Sequence, residues 1–210
     1  MGKKEYNMKK IFKWGSLAIA LASFALLIYV VQGDKVTKFD LAISNSVAKI
    51  QSNGMTKIVK VITEFGNFFV LGTMAIIVTL LLKTYKEKIL LWINIGLVAA
   101  INYGLKQIFQ RQRPTVHLIK ETGYSFPSGH SAVSMAVYLY LIYIVVTKVS
   151  KKWLKILLAL VMSAIIILVG FSRIYLGAHF ASDVLAGFCV GIIYNVLFIH
   201  FCHSTKIAKK

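Results

Sequence analysis

The sequence predicts an all-α protein that crosses a membrane six times. Two observations carry this prediction. Hydrophobic residues make up 58% of the 210-residue chain and charged residues 15%, against roughly 45–50% and 25% in soluble domains. The apolar residues also fall into six runs of about 20 residues, the length that an α-helix needs to cross the hydrocarbon core. We expect residues 1–210 to form a single domain.

Charged and polar segments separate the six runs. The first run follows five lysines and is interpreted as a retained transmembrane helix, because apolar residues continue beyond the cleavage-like tripeptide at 20–22. Between the first two runs, residues 32–53 mix charged and apolar residues at partly helical spacing, so they form either an amphipathic helix on the outer membrane surface or a solvated loop. The predicted spans cover about residues 14–31, 56–82, 89–109, 127–146, 153–171 and 180–201.

Lysine clusters indicate how the chain crosses the membrane. With the N-terminus inside, the clusters at residues 3–13, 83–88, 148–155 and 206–210 all lie on one side. The positive-inside rule therefore predicts that both termini are cytoplasmic. The net charge of +18 could also indicate a nucleic-acid-binding protein. Here, however, the basic residues mark the ends of spans and form no single stripe, so no nucleic-acid partner is expected.

Three polar segments are predicted to meet at the outer end of the bundle. The first ends span three and reads Lys-Gln-Ile-Phe-Gln-Arg-Gln-Arg-Pro over residues 106–114. Its Lys106 and Arg113 are two helical turns apart, so both side chains can point the same way. The second segment, Pro127-Ser128-Gly129-His130, opens span four. A proline suits the first helical turn, and the exposed amides there suit an anion.

The third polar segment, residues 172–183, reads Ser-Arg-Ile-Tyr-Leu-Gly-Ala-His-Phe-Ala-Ser-Asp. Its helix is expected to begin near Gly177. His179 and Asp183 would then share one helix face, where the carboxylate orients the imidazole and leaves its other nitrogen free as a base or nucleophile. Arg173 adds a permanent positive charge. Phosphoryl transfer requires this combination of cations, amides, a nucleophile and an acid.

These segments resemble, in order and internal spacing, the signature motifs of the type 2 phosphatidic acid phosphatase superfamily. The matching residues are Lys106, Arg113, Pro114, Pro127, Ser128, Gly129, His130, Ser172, Arg173, His179 and Asp183. The chain is similar to the small bacterial membrane members, which are lipid phosphatases. The resemblance implies a multi-pass protein of a bacterial plasma membrane with an extracytoplasmic active site.

The resemblance also implies a role for each motif residue. His179 would attack phosphorus to form a phosphohistidine, and Asp183 would fix the tautomer of its ring and stabilise the positive charge. His130 would protonate the leaving oxygen and then activate water. The phosphoryl oxygens would be held by Lys106, Arg113, Arg173, Ser128 and the Gly129 amide. No metal and no other cofactor is implied, and the sequence has no carboxylate cluster suited to Mg²⁺.

Residues outside the motifs are interpreted separately. Glu64, on the outer half of span two, is expected to lie near the substrate entrance or to pair with a motif cation, because a carboxylate at this depth faces the bundle. Arg111, His117 and Lys120 are expected to be solvated or to touch lipid headgroups, and contact with a second phosphate is the alternative. The expected partners are the bilayer and a membrane lipid phosphate, without an obligatory protein partner.

Other functions stay open at this point. A lipid phosphotransferase would pass the phosphohistidine to an acceptor alcohol, and a vanadate haloperoxidase would hold vanadate, although six spans count against that soluble class. A transporter or membrane scaffold would explain the helices but not the motifs. For a phosphatase, undecaprenyl diphosphate, phosphatidylglycerol phosphate and phosphatidic acid all present a terminal phosphate on a membrane anchor. Analogy with carrier recycling outside the membrane favours the first.

Overall fold

The computed structural model describes residues 3–32 and 36–204, and within these ranges the chain forms eight α-helices. Five of them are long and apolar enough to cross a membrane, and the bent pair of α3 and α4 makes a sixth candidate if the two helices form one span. An all-helical polytopic fold is therefore confirmed. The helices are α1 (Lys3–Val31), α2 (Lys38–Ala48), α3 (Asn53–Glu64), α4 (Phe68–Leu81), α5 (Tyr85–Phe109), α6 (Gly129–Lys148), α7 (Lys152–Tyr175) and α8 (Ala181–Ser204).

The second predicted span, residues 56–82, is formed by two helices that a break separates. It breaks before Asn67, and α3 and α4 meet at an angle of 50°. The Asn67 side chain accepts a hydrogen bond from an amide in the first turn of α4 (3.0 Å) and so starts a new helix. The carbonyl of Phe65, freed by the break, accepts a hydrogen bond from the Tyr138 hydroxyl (3.0 Å), which satisfies the backbone inside the bundle.

Of the two alternatives for residues 32–53, the helix is the one that residues 36–53 show, since α2 occupies 38–48. It begins with a capping box, in which Thr37 Oγ1 accepts from the Asp40 amide (2.9 Å) and the Asp40 carboxylate accepts from the Thr37 amide (3.5 Å). Asp40 and Val47 are buried, and α2 packs against α7 and α8. One face of this helix therefore belongs to the protein interior.

The core surrounds α6, which packs against α5, α7 and α8. Helices α6 and α8 approach each other closely at Gly187, where an added Cβ would lie 2.6 Å from the carbonyl oxygen of Ser128. This close approach places the start of α6 beside the start of α8. The best-buried core side chains are Leu71, Leu91, Ile95, Val98, Ala136, Val137 and Tyr138.

The helix directions place all three polar segments at one end of the bundle. At that end, the hydroxyl of Tyr175, the last residue of α7, lies 3.1 Å from the Ser52 amide at the start of α3. At the other end, the Trp14 ring of α1 packs edge-on against His200 of α8, with centroids 5.1 Å apart. The beginning of α1 and the end of α8 therefore lie opposite the polar segments.

Candidate active site

Two loops form the floor of the candidate site: the α5–α6 loop, residues 110–128, and the α7–α8 turn, residues 176–180. They are joined by a hydrogen bond from the Leu118 amide to the Leu176 carbonyl (2.9 Å). Gly177 has a φ of +68°, and a Cβ there would run into the Val116 carbonyl, so only glycine fits. Helix α8 begins at Ala181; the predicted start near Gly177 is wrong because this turn intervenes.

The His179 imidazole has a different partner on each nitrogen. Its Nε2 lies 3.2 Å from Arg113 Nη1, and its Nδ1 lies 3.3 Å from Ser125 Oγ and 3.5 Å from Asp183 Oδ2. Because Ser125 donates its hydroxyl hydrogen to Asp183, its oxygen is left to accept the Nδ1 proton. These partners assign the tautomer with a lone pair on Nε2, the nitrogen that faces the guanidinium.

The protonation state of His179 follows from its surroundings. The ring is only 2% exposed. Burial lowers the pKa of His179 from 6.5 to about 4, although the hydrogen bond and the charge of Asp183 act in the opposite direction. The imidazole is therefore neutral at neutral pH, and its Nε2 lone pair accepts a hydrogen bond from Arg113 Nη1.

Asp183 is held on every side. Its Oδ1 accepts from Arg111 Nη1 (2.6 Å), and its Oδ2 accepts from the Phe180 amide (2.9 Å) and from Ser125 Oγ. The carboxylate is completely buried. A carboxylate with this many donors keeps one orientation, and it is the orientation that faces His179.

The prediction that Arg111 is solvated or touches headgroups is wrong. Its side chain is 2% exposed and forms ion pairs with two buried carboxylates, Asp183 (2.6 Å) and Asp40 (2.8 Å). A guanidinium can be buried when carboxylates compensate its charge. His117 and Lys120, which share the loop with Arg111, are exposed as predicted.

Arg113 organises the α5–α6 loop around itself. Its guanidinium donates to the carbonyls of Gly123 (2.9 Å), Thr122 (3.0 Å) and Ala178 (2.9 Å). The last of these precedes His179, so one side chain ties the loop to the turn that carries the imidazole. This fixes the position of the cation beside Nε2.

Glu121 pairs with Arg113 and with Arg173. It accepts a hydrogen bond from Arg173 Nη2, and its Oε2 lies 3.8 Å from Arg113 Nη2. Burial acts to raise the pKa of Glu121, but the charge and hydrogen bond of Arg173 outweigh it and leave that pKa lowered. Arg173, 1% exposed, also donates to Thr63 Oγ1 (2.9 Å).

The expectation that Glu64 pairs with a motif cation is wrong, because Glu121 holds that position. Glu64 is exposed and accepts a hydrogen bond from Asn67 Nδ2 (3.0 Å). The break between α3 and α4 explains the difference, since it leaves Glu64 at a helix end instead of inside a continuous span. The alternative that Glu64 lies near the substrate entrance stays a prediction.

Lys106 and Gly129 lie side by side where α5 meets α6. The Lys106 ammonium donates to the carbonyls of Tyr124 and Ser125. A Cβ on Gly129 would lie 3.8 Å from Lys106 Cε and 3.2 Å from Asn102 Oδ1. The first amides of α6 therefore stand next to an ammonium group, in a position that suits an anion.

Ser128 caps α6, and Pro127 lies before the first helical turn in which it was predicted. Ser128 is the N-cap of α6: its buried Oγ accepts from the Ser131 amide (3.4 Å), and its own amide donates to the Asp183 carbonyl (3.0 Å). Pro127 precedes the cap in a cis peptide bond and is not in the first helical turn. The Ser128 hydroxyl is used for capping α6. Its contact with phosphate stays a prediction.

His130 lies in the first turn of α6 against the break in the bent span. A Cβ on Gly66 would lie 3.2 Å from Cβ and Cδ2 of His130, so glycine makes room for the ring. His130 is half-buried. It lies within electrostatic range of Arg113, Glu121, Arg173 and His179.

The structure thus brings together the motif residues from three separate segments and adds three that sequence reasoning missed. Ser125 and Glu121 are polar residues of the loop between the first two motifs, which is the only signal for them. Asp40 is the single carboxylate of α2. Among residues 3–32 and 36–204, no three His, Cys, Asp or Glu side chains group in a way that suits a metal ion.

The chain is similar to several known proteins. A model of the PAP2 superfamily matches residues 87–206, which include all three motifs. Phosphatidylglycerophosphatase B of Bacillus subtilis (strain 168) is 31% identical over 190 residues, covering 87% of this chain and 93% of the relative. An undecaprenyl-diphosphatase of Sulfolobus acidocaldarius is 26% identical over 214 residues, covering 97% of each chain.

Two crystal structures share the fold. That of a transmembrane PAP2 type phosphatidylglycerolphosphate phosphatase from Bacillus subtilis superposes with a TM-score of 0.83 at 28% identity, covering 90% of this chain and 96% of that chain. Aquifex aeolicus LpxE gives a TM-score of 0.62 at 22% identity, covering 76% and 94%. The second likeness bears on the fold alone.

Proposed function

The chain belongs to the PAP2 superfamily, and we propose that it is an integral membrane phosphatase that removes the terminal phosphate of a lipid phosphate or diphosphate. The position of His179 carries the proposal. Its unprotonated Nε2 lies 3.2 Å from the Arg113 guanidinium, while Nδ1 faces Ser125 and Asp183. A nucleophile beside a fixed cation suits attack on phosphorus, because the cation attracts the phosphoryl oxygens.

In the first step, Nε2 of His179 forms a bond to phosphorus while the bond between phosphorus and the lipid oxygen breaks. His130 gives its proton to that oxygen, so the lipid leaves as an alcohol, or as a monophosphate when the substrate is a diphosphate. The phosphorylated ring keeps its Nδ1 proton and gains a positive charge. The buried carboxylate of Asp183 stabilises this charge.

In the second step, a water oxygen bonds to phosphorus and the N–P bond breaks, returning its electron pair to Nε2 of His179. His130, neutral after the first step, takes the proton from that water. Inorganic phosphate leaves, and both histidines return to their starting protonation states. The net reaction consumes one water for each phosphate released.

The phosphoryl oxygens would be held by side chains and by the start of α6. Arg113 and Arg173 offer planar guanidinium groups that can contact two oxygens each. Lys106 and the Gly129 amide lie next to each other at the positive end of a 20-residue helix. We assign Ser128 to phosphate binding as well, because its side chain caps α6 and so orients these amides.

We place the site on the extracytoplasmic face of a bacterial plasma membrane, with both termini in the cytoplasm and residues 1–210 acting as one domain. The lysine clusters between spans support this orientation. The contact between Trp14 and His200 supports it as well, since it joins α1 and α8 at the end opposite the site. A diphosphate carrier used outside the membrane would reach such a site directly.

The substrate class follows from the relatives and from the site. One relative is named for phosphatidylglycerophosphate and another for undecaprenyl diphosphate, so both lipids are candidates, with phosphatidic acid as the third. The cationic residues would contact only the phosphate, and selectivity among these lipids would come from the apolar side chains around the lipid tail. We favour undecaprenyl diphosphate, on the analogy with carrier recycling.

The test is release of inorganic phosphate from each of the three lipids by the purified protein in EDTA, without added acceptor. We propose a metal-independent reaction because fixed side-chain cations disperse the phosphoryl charge, so EDTA should not reduce the rate. His179→Ala should abolish release, whereas His200→Ala, at the far end of α8, should retain it. Phosphate transfer that requires an added alcohol would instead identify a phosphotransferase, and an inactive wild type would contradict both.

A further inference from the structure

We propose that Asp40 and Arg111 are positioning residues that set the charge and orientation of the His179–Asp183 pair, a role that rests on the proposed function above. Arg111 belongs to the α5–α6 loop and Asp40 to α2, 71 residues earlier. Neither side chain touches the imidazole. They act on it through Asp183, which both His179 and Arg111 contact.

The geometry is that of a buried chain of charges. Arg111 uses one guanidinium nitrogen for each carboxylate, Nη1 for Asp183 Oδ1 (2.6 Å) and Nη2 for Asp40 Oδ2 (2.8 Å). All three side chains are at most 2% exposed. Solvent screening is therefore weak, and each charge acts strongly on its neighbour. The Arg111 guanidinium also lies over the Phe180 ring, 4.6 Å from its centroid.

Asp40 also fixes the first turn of the helix that carries Asp183. Its Oδ1 accepts from the Ser182 amide (2.9 Å), and its Oδ2 accepts from the Ser182 hydroxyl (2.8 Å). A carboxylate at a helix N-terminus is stabilised there by the free amides. Helix α2 thus adds a second carboxylate to the first turn of α8, beside Asp183 itself, and fixes the position of the neighbouring Ser182.

The charge balance gives Asp40 a specific function. One guanidinium and two carboxylates leave the three groups with a net charge of −1. That negative charge is available to the imidazolium that forms when His179 is phosphorylated. Without the charge of Asp40, the charge of Arg111 would offset that of Asp183, and the phosphorylated ring would face less negative charge. Asp40 therefore keeps Asp183 effective as the partner of His179.

The charge balance separates this role from a purely structural one. Asp40→Asn has nearly the same shape but brings the net charge of the three groups to zero, so kcat should fall by about 10- to 100-fold, the range for residues that support a reactive group. KM should change by less than about threefold, because neither residue contacts substrate. In the double variant, Asp40→Asn with Arg111→Gln, two of the three groups are neutral. Asp183 alone is charged, so the net charge is again −1.

The experiment measures kcat and KM for lipid phosphate hydrolysis with wild type, Asp40→Asn, Arg111→Gln and the double variant, each shown to be monodisperse in detergent. The double variant should be at least about tenfold more active than either single variant, a coupling that independent structural defects would not give. Thr37→Ala is the matched control: it removes the same capping box from α2 while keeping the Asp40 charge, and kcat should stay within about twofold.

Two results would overturn the inference: a folded Asp40→Asn enzyme with wild-type kcat, or a double variant no more active than the single ones. If Asp40→Asn does not fold, the comparison of Arg111→Lys with Arg111→Gln decides, because only lysine keeps the net charge of −1. The lysine variant should then be the more active by about tenfold, and equal activities would overturn the inference. Failure of the proposed function is distinguishable, since wild type itself would then release no phosphate.

Discussion

The guanidinium of Arg113 lies 3.2 Å from Nε2 of His179, although 66 residues separate the two in the chain. The loop carbonyls of Thr122 and Gly123 hold the arginine, and the Ala178 carbonyl joins it to the turn that carries the histidine. A permanent cation is therefore positioned at the nitrogen that we assign as the nucleophile. The predictions below test what this arrangement does.

Arg113→Ala should reduce kcat by about 100- to 1000-fold, the loss expected when one positioned donor to the developing phosphoryl charge is removed. Steady-state release of inorganic phosphate measures it. Lys120→Ala is the control, because Lys120 is an exposed cation of the same loop and its removal should leave kcat within about twofold. Equal losses in the two variants would show that only the overall charge of the loop matters.

Glu121→Gln should strengthen phosphate binding. Glu121 compensates the charges of Arg113 and Arg173, so its neutralisation leaves both cations to attract an anion. We expect KM for the lipid phosphate and Ki for inorganic phosphate to fall about fivefold, equivalent to about 1 kcal/mol. The matched control is Glu64→Gln, since Glu64 is exposed and bonded to Asn67; a similar effect in both variants would contradict the assignment.

His179 should make the stability of the protein depend on pH. Its pKa is about 4 in the folded protein against an ordinary value of 6.5, so between these values the unfolded chain binds more protons. Stability should therefore fall as the pH drops from 6.5 towards 4. Thermal unfolding in detergent should show a larger decrease over this range for wild type than for His179→Gln. Identical pH profiles would mean that the imidazole is not buried in its neutral form.

The orientation of the bundle is open to a labelling test. Cys189 and Cys202 are first replaced by alanine, and one new cysteine is then introduced at a time. Thr115→Cys places it in the exposed part of the α5–α6 loop. Ser150→Cys places it between α6 and α7, at the opposite end of the bundle. A membrane-impermeant maleimide added to intact cells should label the first and not the second. The reverse pattern would place the site in the cytoplasm.

Much of this arrangement could be predicted from local sequence. Runs of apolar residues predict the spans because a helix must be about 20 residues long to cross the hydrocarbon core. Antiparallel spans then bring the segment after α5 and the segments before α6 and α8 to the same end. The spacing of His179 and Asp183 predicts their contact, which the structure has at 3.5 Å, although a turn precedes the helix.

The features that local sequence does not predict depend on contacts between distant residues. Arg111 looks solvated in the sequence because the carboxylates that compensate it, Asp40 and Asp183, are 71 and 72 residues away. No local pattern shows that a buried arginine will find two partners. For a similar reason, the sequence does not show that Glu121, and not Glu64, pairs with the motif cations. The break before Asn67 did have a local signal, the Gly-Asn dipeptide that ends one helix and caps the next.

The most direct test of the account is to find the phosphoryl group on the enzyme during turnover. Purified protein is mixed with lipid phosphate labelled at phosphorus and quenched in alkali, in which phosphohistidine survives, and the labelled peptide is identified by mass spectrometry. We predict a single phosphoryl group on His179, and neither label nor phosphate release with His179→Ala. A phosphoryl group on another residue, or release at the wild-type rate by His179→Ala, would contradict the account.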